Sequence, residues 1–519
     1  MSYNSIQFFA IFVPALIVIY QLCAQKYRWI VLLLASYMFF IYSSGALLIY
    51  NFITVIITYV VADILTKISS KKAADKQEKK LNNKRKKQIL ALGIVLNFLI
   101  LLVLKYTNFL GSNIFALINK FGGSVEYKKI SFLVPIGISY YTMQAVSYLI
   151  DVYRGTVSKE KNIFKLSLYL SFFPTILEGP IARYSDISST MFAGNAITYE
   201  NITAGYRRIL WGLFQKVVLA DHMAIGVEKI FDSGNVYDGS VILYGAILCT
   251  LQLYMDFAGT IDIVIGTAKI FGITLPENFR QPFFAKNAGD FWHRWHITLG
   301  TWFKDYIFYP ISFAKPMAKA SKKIKKVFGM GVSRMFTPTV ALFCVWISNG
   351  LWHGPKGTYI FYGIYYFILI FIENILEKPI SKKAEELNID MNSFVIRAIR
   401  FVKLFIIVII GEMLFRADTL KLGFSMLKSI FTNFHISAFV SVLADLVYEP
   451  YDYAIMFIGM IIVIVVSVLR EKNISLSSKI GSLPKAVRWV IWYAAIFTVI
   501  IFGAYGPGFD AIAMMYAAF

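Results

Sequence analysis

Two stretches of the chain carry residues able to move a proton. The first, residues 336–361, reads FTPTVALFCVWISNGLWHGPKGTYIF. An apolar helix ends there in Trp352-His353-Gly354-Pro355 and turns straight into a second apolar helix. Gly354 and Pro355 interrupt helical backbone, which leaves His353 at the mouth of a tight turn. An ionisable ring at that depth is costly unless it faces protein or water, and this makes it a candidate for function. The competing reading is a histidine that caps a hairpin or sits at the membrane interface. The second stretch, residues 289–310, reads GDFWHRWHITLGTWFKDYIFYP. Asp290, His293 and His296 follow one another at intervals of three, a spacing that would align them on one helix face. Three chemistries suit that pattern: metal ligation, hydrogen bonding in a crowded aromatic interior, or proton transfer by a neutral imidazole near pH 7. Metal ligation is the weakest of them, because no further ligand is fixed, and no metal is expected. Asn349 lies four residues before His353 on the same face. It either polarises a substrate carbonyl or bonds a neighbouring helix, as polar residues in membrane bundles commonly do.

The elements that hold these residues are membrane spans. Of 519 residues, 58% are hydrophobic, 17% aromatic and 16% charged, where a soluble chain carries roughly a quarter charged residues. Apolar runs near twenty residues recur throughout, long enough for a hydrocarbon core of about 30 Å. With no alternating β-barrel pattern, the chain reads as an all-α polytopic membrane protein. It has about eleven or twelve spans and at least one re-entrant segment. Ile6–Leu22 lacks a basic leader and a small-residue cleavage site, so it reads as a retained span. The segment 163–187 is broken by Pro174, Gly179 and Pro180 and flanked by Glu178 and Arg183, the composition of a re-entrant element lined by protein or a cavity. Residues 256–310 are too polar to face lipid and too aromatic to be a solvated loop, so they should fold back into the interior.

The net charge of +22 lies mostly between spans. Residues 67–87 hold ten Lys or Arg against Asp75 and Glu78, and residues 315–334 hold seven with no acid. Short basic loops stay in the cytoplasm and contact anionic lipid, so the charge reports topology and no nucleic-acid partner is expected. The loops 67–87, 315–334, 378–400 and 470–488 then fall on one side, with both termini outside. Cys23, Cys249 and Cys344 each stand alone, which indicates neither zinc nor a disulfide framework.

Six segments in order carry a resemblance: VPIGISYYTMQAVSYLIDVYRG (134–155), SFFPTILEGPIARY (171–184), residues 251–283, residues 290–310, GLWHG (350–354) and LFRAD (414–418). Together they resemble the bacterial membrane-bound O-acyltransferases of the alginate O-acetylation branch. The resemblance covers most of the chain, and it implies a single integral-membrane domain over 1–519. N-terminal helices would occupy 1–130, the core about 131–420 and C-terminal helices 421–519. The family fold would be a ring of helices around a central tunnel. The histidine matching His353 would be catalytic and the one matching His296 would lie beside the tunnel, with Trp352, Asn349, Trp295 and Asp305 as candidate substrate contacts. His293 stands where the family usually has Arg. The Gly-Gly that often follows the Tyr-Pro at 309–310 is missing, and the terminal MMYAAF replaces a more aromatic motif. The implied activity moves an acetyl group from cytoplasmic acetyl-CoA, a donor substrate with no cofactor, across the bacterial cytoplasmic membrane to decorate an exported polysaccharide. Implied partners are an extracytoplasmic, membrane-anchored SGNH (esterase-like) protein, the polysaccharide synthase complex and membrane lipids. D-Alanyl transfer from a carrier protein to teichoic acid, and a lipid or polysaccharide transporter without chemistry, are the alternatives.

Overall fold

In the computed structural model, residues 2–232, 237–445 and 448–505 are described, and every regular element among them is helical. The terminal MMYAAF lies outside the described residues. The protein is an all-α polytopic membrane protein. Among the described residues, seven helical stretches are long and apolar enough to cross a bilayer: Gln25–Ser70, Lys76–Lys120, Gly239–Ile270, Lys315–His353, Gly357–Glu386, Pro450–Glu471 and Lys485–Phe502. The first holds two helices, Arg28–Ser44 and Leu48–Ser70, turned at Gly45 with φ 55°.

Other segments expected as spans form helices of a different character. Ile138–Arg154 has 17 residues and is buried at every position from Ile138 to Leu149, so its polar side chains meet protein. Phe394–Arg416 carries Arg397, Arg400, Lys403, Glu412 and Arg416 along an otherwise apolar sequence. Gln7–Leu22 is apolar but shorter, and opens with a π-helical turn.

The chain divides into two compact units, residues 2–209 with 263–276, and residues 210–262 with 277–505. In the first, Ile138–Arg154 packs against Leu48–Ser70 and Lys76–Lys120. The segment expected to be re-entrant is broken here too. Helix Ile163–Ser171 stops, an irregular and fully buried stretch runs over 172–182, and helix Tyr184–Met191 resumes. The basic stretches are largely helical. Residues 76–87 open the helix Lys76–Lys120, capped by the Asp75 side chain, and residues 315–328 open Lys315–His353 as far as a break at Gly329, φ 82°.

In the second unit the principal packing is a helical hairpin, Lys315–His353 against Gly357–Glu386. Two glycines set its spacing. A methyl group on Gly350 would lie 2.4 Å from the Tyr359 carbonyl oxygen, and one on Gly363 would lie 2.3 Å from that of Trp346. Small residues let membrane helices approach backbone to backbone, and this approach brings His353 under the first turns of the returning helix.

Candidate functional site

His353 is the last residue of its helix. Gly354 departs at φ 142° and ψ −179°, and the next helix starts three residues later at Gly357. The imidazole is buried and enclosed by aromatic rings. Ring centroids lie 5.0 Å away for Trp352, 5.1 Å for Phe415 and 6.2 Å for both Tyr359 and Tyr362. The Tyr362 hydroxyl donates to the buried Glu412 carboxylate at 2.7 Å. That carboxylate stands inside the apolar run VIIGEMLF, the kind of signal that marks function in a membrane helix, and is not among the sequence candidates.

His296 occupies a backbone break. Helix Ala288–Arg294 ends, Trp295 is extended, and His296 takes the left-handed conformation, φ 46° and ψ 50°, before helix Ile297–Phe303. This corrects the expectation that His293 and His296 share a helix face, since the i to i+3 relation fails where the helix stops. Asp290 is likewise taken up locally, accepting from Arg294 at 3.2 Å and from the Lys286 N–H at 3.0 Å. Among the described residues no group of three or more His, Cys, Asp or Glu is placed to hold a metal ion.

The tautomer of His296 follows from its neighbour. Asn278 Oδ1 accepts from the Thr298 N–H at 3.1 Å and the Thr298 hydroxyl at 2.9 Å, and lies 3.2 Å from His296 Nδ1. An amide oxygen only accepts, so Nδ1 carries the proton and the neutral ring presents Nε2 as its basic atom. That atom is buried with no hydrogen-bond partner among the described residues.

The Trp352 indole connects the two imidazoles, with centroids 5.6 Å from His296 and 5.0 Å from His353. On the opposite side His296 meets the edge of Phe257 at 4.8 Å. A cavity of about 280 Å³ adjoins this cluster, its wall including His293, His296, Lys304, Trp346 and Asn349. Asn349 Oδ1 is buried and makes no hydrogen bond among the described residues. His293 and Lys304 are exposed, and with His296 and Asn349 they bring polar side chains to an otherwise largely apolar wall.

The remaining candidates are placed differently. His353 and Trp352 are not on that wall. Trp295 is buried in packing, stacked on Phe291 at 5.4 Å and edge-on to Phe279 at 5.1 Å. Asp305 is half-buried in the π-helical turn Lys304–Phe308, off the wall.

A second group of buried polar residues includes two acids of the region 256–310, Asp256 and Asp262. Lys216, in the π-helical turn Phe214–Ala220, lies 2.7 Å from Asp221 and 2.7 Å from Asp256, all three buried. Nearby, Gln215 donates to Asp262 at 3.1 Å. Local helical winding of this kind is frequent at functional sites, and a lysine buried among apolar helices needs such partners.

The polytopic helical protein thus holds two buried, aromatic-clad imidazoles, one of them on a cavity wall. The model of the MBOAT, membrane-bound O-acyltransferase family matches residues 157–328. The probable alginate O-acetylase AlgI of Pseudomonas aeruginosa is 30% identical over 83% of this chain and 75% of its own length. The peptidoglycan O-acetyltransferase of Helicobacter pylori is 32% identical over 54% of each chain, and the teichoic acid D-alanyltransferase of Bacillus subtilis 33% identical over 48% of this chain and 60% of its own. The chain belongs to the membrane-bound O-acyltransferase family, on the alginate O-acetylation side of it, and is an O-acyltransferase.

Proposed function

We propose that the protein moves an acetyl group from cytoplasmic acetyl-CoA to an acceptor hydroxyl on the far side of the bacterial cytoplasmic membrane, for O-acetylation of an exported polysaccharide. The observation that carries this reading is the pair of buried imidazoles bridged by Trp352, one of them on the wall of a cavity. His353 is the general base. It takes the acceptor hydroxyl proton as the oxygen attacks the thioester carbonyl. The tetrahedral oxyanion then collapses and the carbon–sulfur bond breaks. The departing CoA thiolate recovers the proton. A base of this kind contributes about 10²–10⁴ in rate. His296, held as the Nδ1–H tautomer, and Asn349 orient the donor carbonyl. The reaction needs no cofactor or metal beyond the donor substrate itself.

The resemblance supports a passage open to both faces, and the basic helices 76–87 and 315–328 would draw the CoA phosphates towards the cytoplasmic one. The immediate acceptor is the serine of an extracytoplasmic, membrane-anchored esterase-like partner, which passes the acetyl group to polymer beside the synthase complex. In a strain expressing His353→Ala, polymer O-acetylation should fall by about 10²–10⁴; unchanged acetylation overturns the reading. A second reading, D-alanyl transfer, is favoured by the likeness to the Bacillus subtilis teichoic acid D-alanyltransferase. Mass analysis of the modified polymer separates the two acyl groups. Transport without chemistry is tested by acetyl transfer from labelled acetyl-CoA with purified protein.

A further inference from the structure

The second unit holds another cavity, of about 610 Å³, that shares no wall residue with the first. Its walls come from the π-helical turn Phe214–Ala220, from helix Pro450–Glu471 and from the end of helix Lys485–Phe502. On helix Pro450–Glu471 the lining runs from Tyr451 and Asp452 through Ala454, Ile455, Ile458 and Gly459 to Ile462. Their spacing marks one face of an α-helix, and at 1.5 Å per residue the stripe runs roughly 15 Å along it. The helix is strongly apolar and both Ile458 and Ile462 are exposed, so the groove opens where hydrocarbon would lie.

One end of the groove is polar. His222 Nε2 lies 3.6 Å from Asp452 Oδ1, with both residues buried. Asp452 stands in the first turn of its helix, where its other oxygen accepts the Glu449 N–H at 2.9 Å. The pair therefore sits at the depth where the span begins, with the Glu449 carboxylate one turn away in sequence. The Tyr448 hydroxyl donates to the His222 carbonyl oxygen at 2.7 Å, which fixes the segment before this helix against the one that carries His222. The groove is thus a polar head with one carboxylate on its wall, followed by about 15 Å of apolar wall. Those dimensions suit a lipid and not a soluble substrate. The Asp452 carboxylate at the head disfavours an anionic terminus and favours a hydrogen-bond-donating cation.

We infer that this groove is a binding site for a membrane lipid with a primary ammonium headgroup, one acyl chain lying along Ile455–Ile462 and the ammonium at Asp452. Histidine–carboxylate pairs inside membrane segments are costly and call for a functional partner, which this lipid supplies. By the loop-charge orientation the head lies at the outer face. The site is independent of acyl transfer.

The test uses the full chain reconstituted with phosphatidylethanolamine or phosphatidylcholine, followed by native mass spectrometry of the purified protein. Phosphatidylethanolamine should be retained over phosphatidylcholine by roughly tenfold, the scale of one hydrogen bond to a charged group. Asp452→Asn keeps a side-chain oxygen able to accept the Glu449 N–H and should abolish that preference. Ile458→Trp fills the groove from an exposed position without touching the core and should lower retention of both lipids. Equal retention of the two lipids by the unaltered chain, or unchanged retention in Ile458→Trp, overturns the assignment. A photo-reactive phenylalanine at position 458 identifies the occupant directly. A lipid adduct supports the site, whereas a crosslink to residues 506–519 or to a second copy of the chain overturns it.

Discussion

At His296 the placement of the ring proton depends on a residue eighteen positions earlier. Asn278 Oδ1 collects two donors from Thr298 and faces His296 Nδ1, and so decides which ring nitrogen is basic. Asn278→Ala should lower kcat roughly tenfold or more, the effect of leaving a buried donor unsatisfied at about 1–3 kcal/mol, with a smaller change in KM. Steady-state kinetics with acetyl-CoA checks this, and a loss confined to KM would show that Asn278 only shapes the cavity. The same residue illustrates the limit of spacing arguments. Three-residue intervals placed His293 and His296 on one face, but the extended Trp295 and left-handed His296 end the helix between them. They reach the same cavity wall by a turn, not by helical periodicity. Glu412 was hidden for another reason, because its partner Tyr362 lies fifty residues away and only packing joins them.

Among the elements, the hairpin of Lys315–His353 and Gly357–Glu386 holds the most of the site. Gly363 has no room for a side chain against the Trp346 carbonyl. Gly363→Ala should therefore destabilise the fold by about 1–3 kcal/mol, the usual cost of overpacking, and shift His353 with it. Thermal unfolding in detergent measures the first effect, and acetyl transfer the second.

A smaller element responds to pH. Asp238 sits just before helix Gly239–Ile270 and accepts hydrogen bonds from Ser240 and from the backbone and ring of His435. Desolvation raises the Asp238 pKa, but the bonds from His435 and Ser240 outweigh it and hold the carboxyl below its ordinary range. A depressed carboxyl stabilises the fold above its unfolded pKa, about 3.9, and that contribution is lost as pH falls through the folded value. Stability should accordingly be insensitive to Asp238 at neutral pH and decline only in acid below about pH 4. His435→Ala removes bonds that lower the folded value, so it should shrink the loss of stability below about pH 4 in a pH series of thermal unfolding; an unchanged loss would show the contact is inconsequential.

For the whole molecule, charge placement sets orientation. Residues 315–334 carry seven cations and no acid, and the structure extends their first part as a helix leading into the span that ends at His353. Replacing these seven residues with glutamine should weaken the cytoplasmic retention of that end and give mixed topology. Cysteine accessibility from each side of intact cells reads this out, and a single unchanged orientation would assign control to other loops.

The membrane class and the catalytic candidates were readable because each depends on local composition or motif. Hydropathy averages over twenty neighbouring residues, and Gly-Pro after Trp352-His353 ends a helix wherever it occurs. The break at 172–182 was readable for the same reason. Which apolar segments are long enough to span was less so, since Ile138–Arg154 is surrounded by protein and Phe394–Arg416 carries its charges within an apolar run. The protonation of His296, the indole shared by two imidazoles, the Tyr362–Glu412 bond and the lysine held between Asp221 and Asp256 belong to packing alone. Each joins residues far apart in the chain or set by a backbone turn, and hydrogen bonds and ring contacts form only after helices have chosen their neighbours.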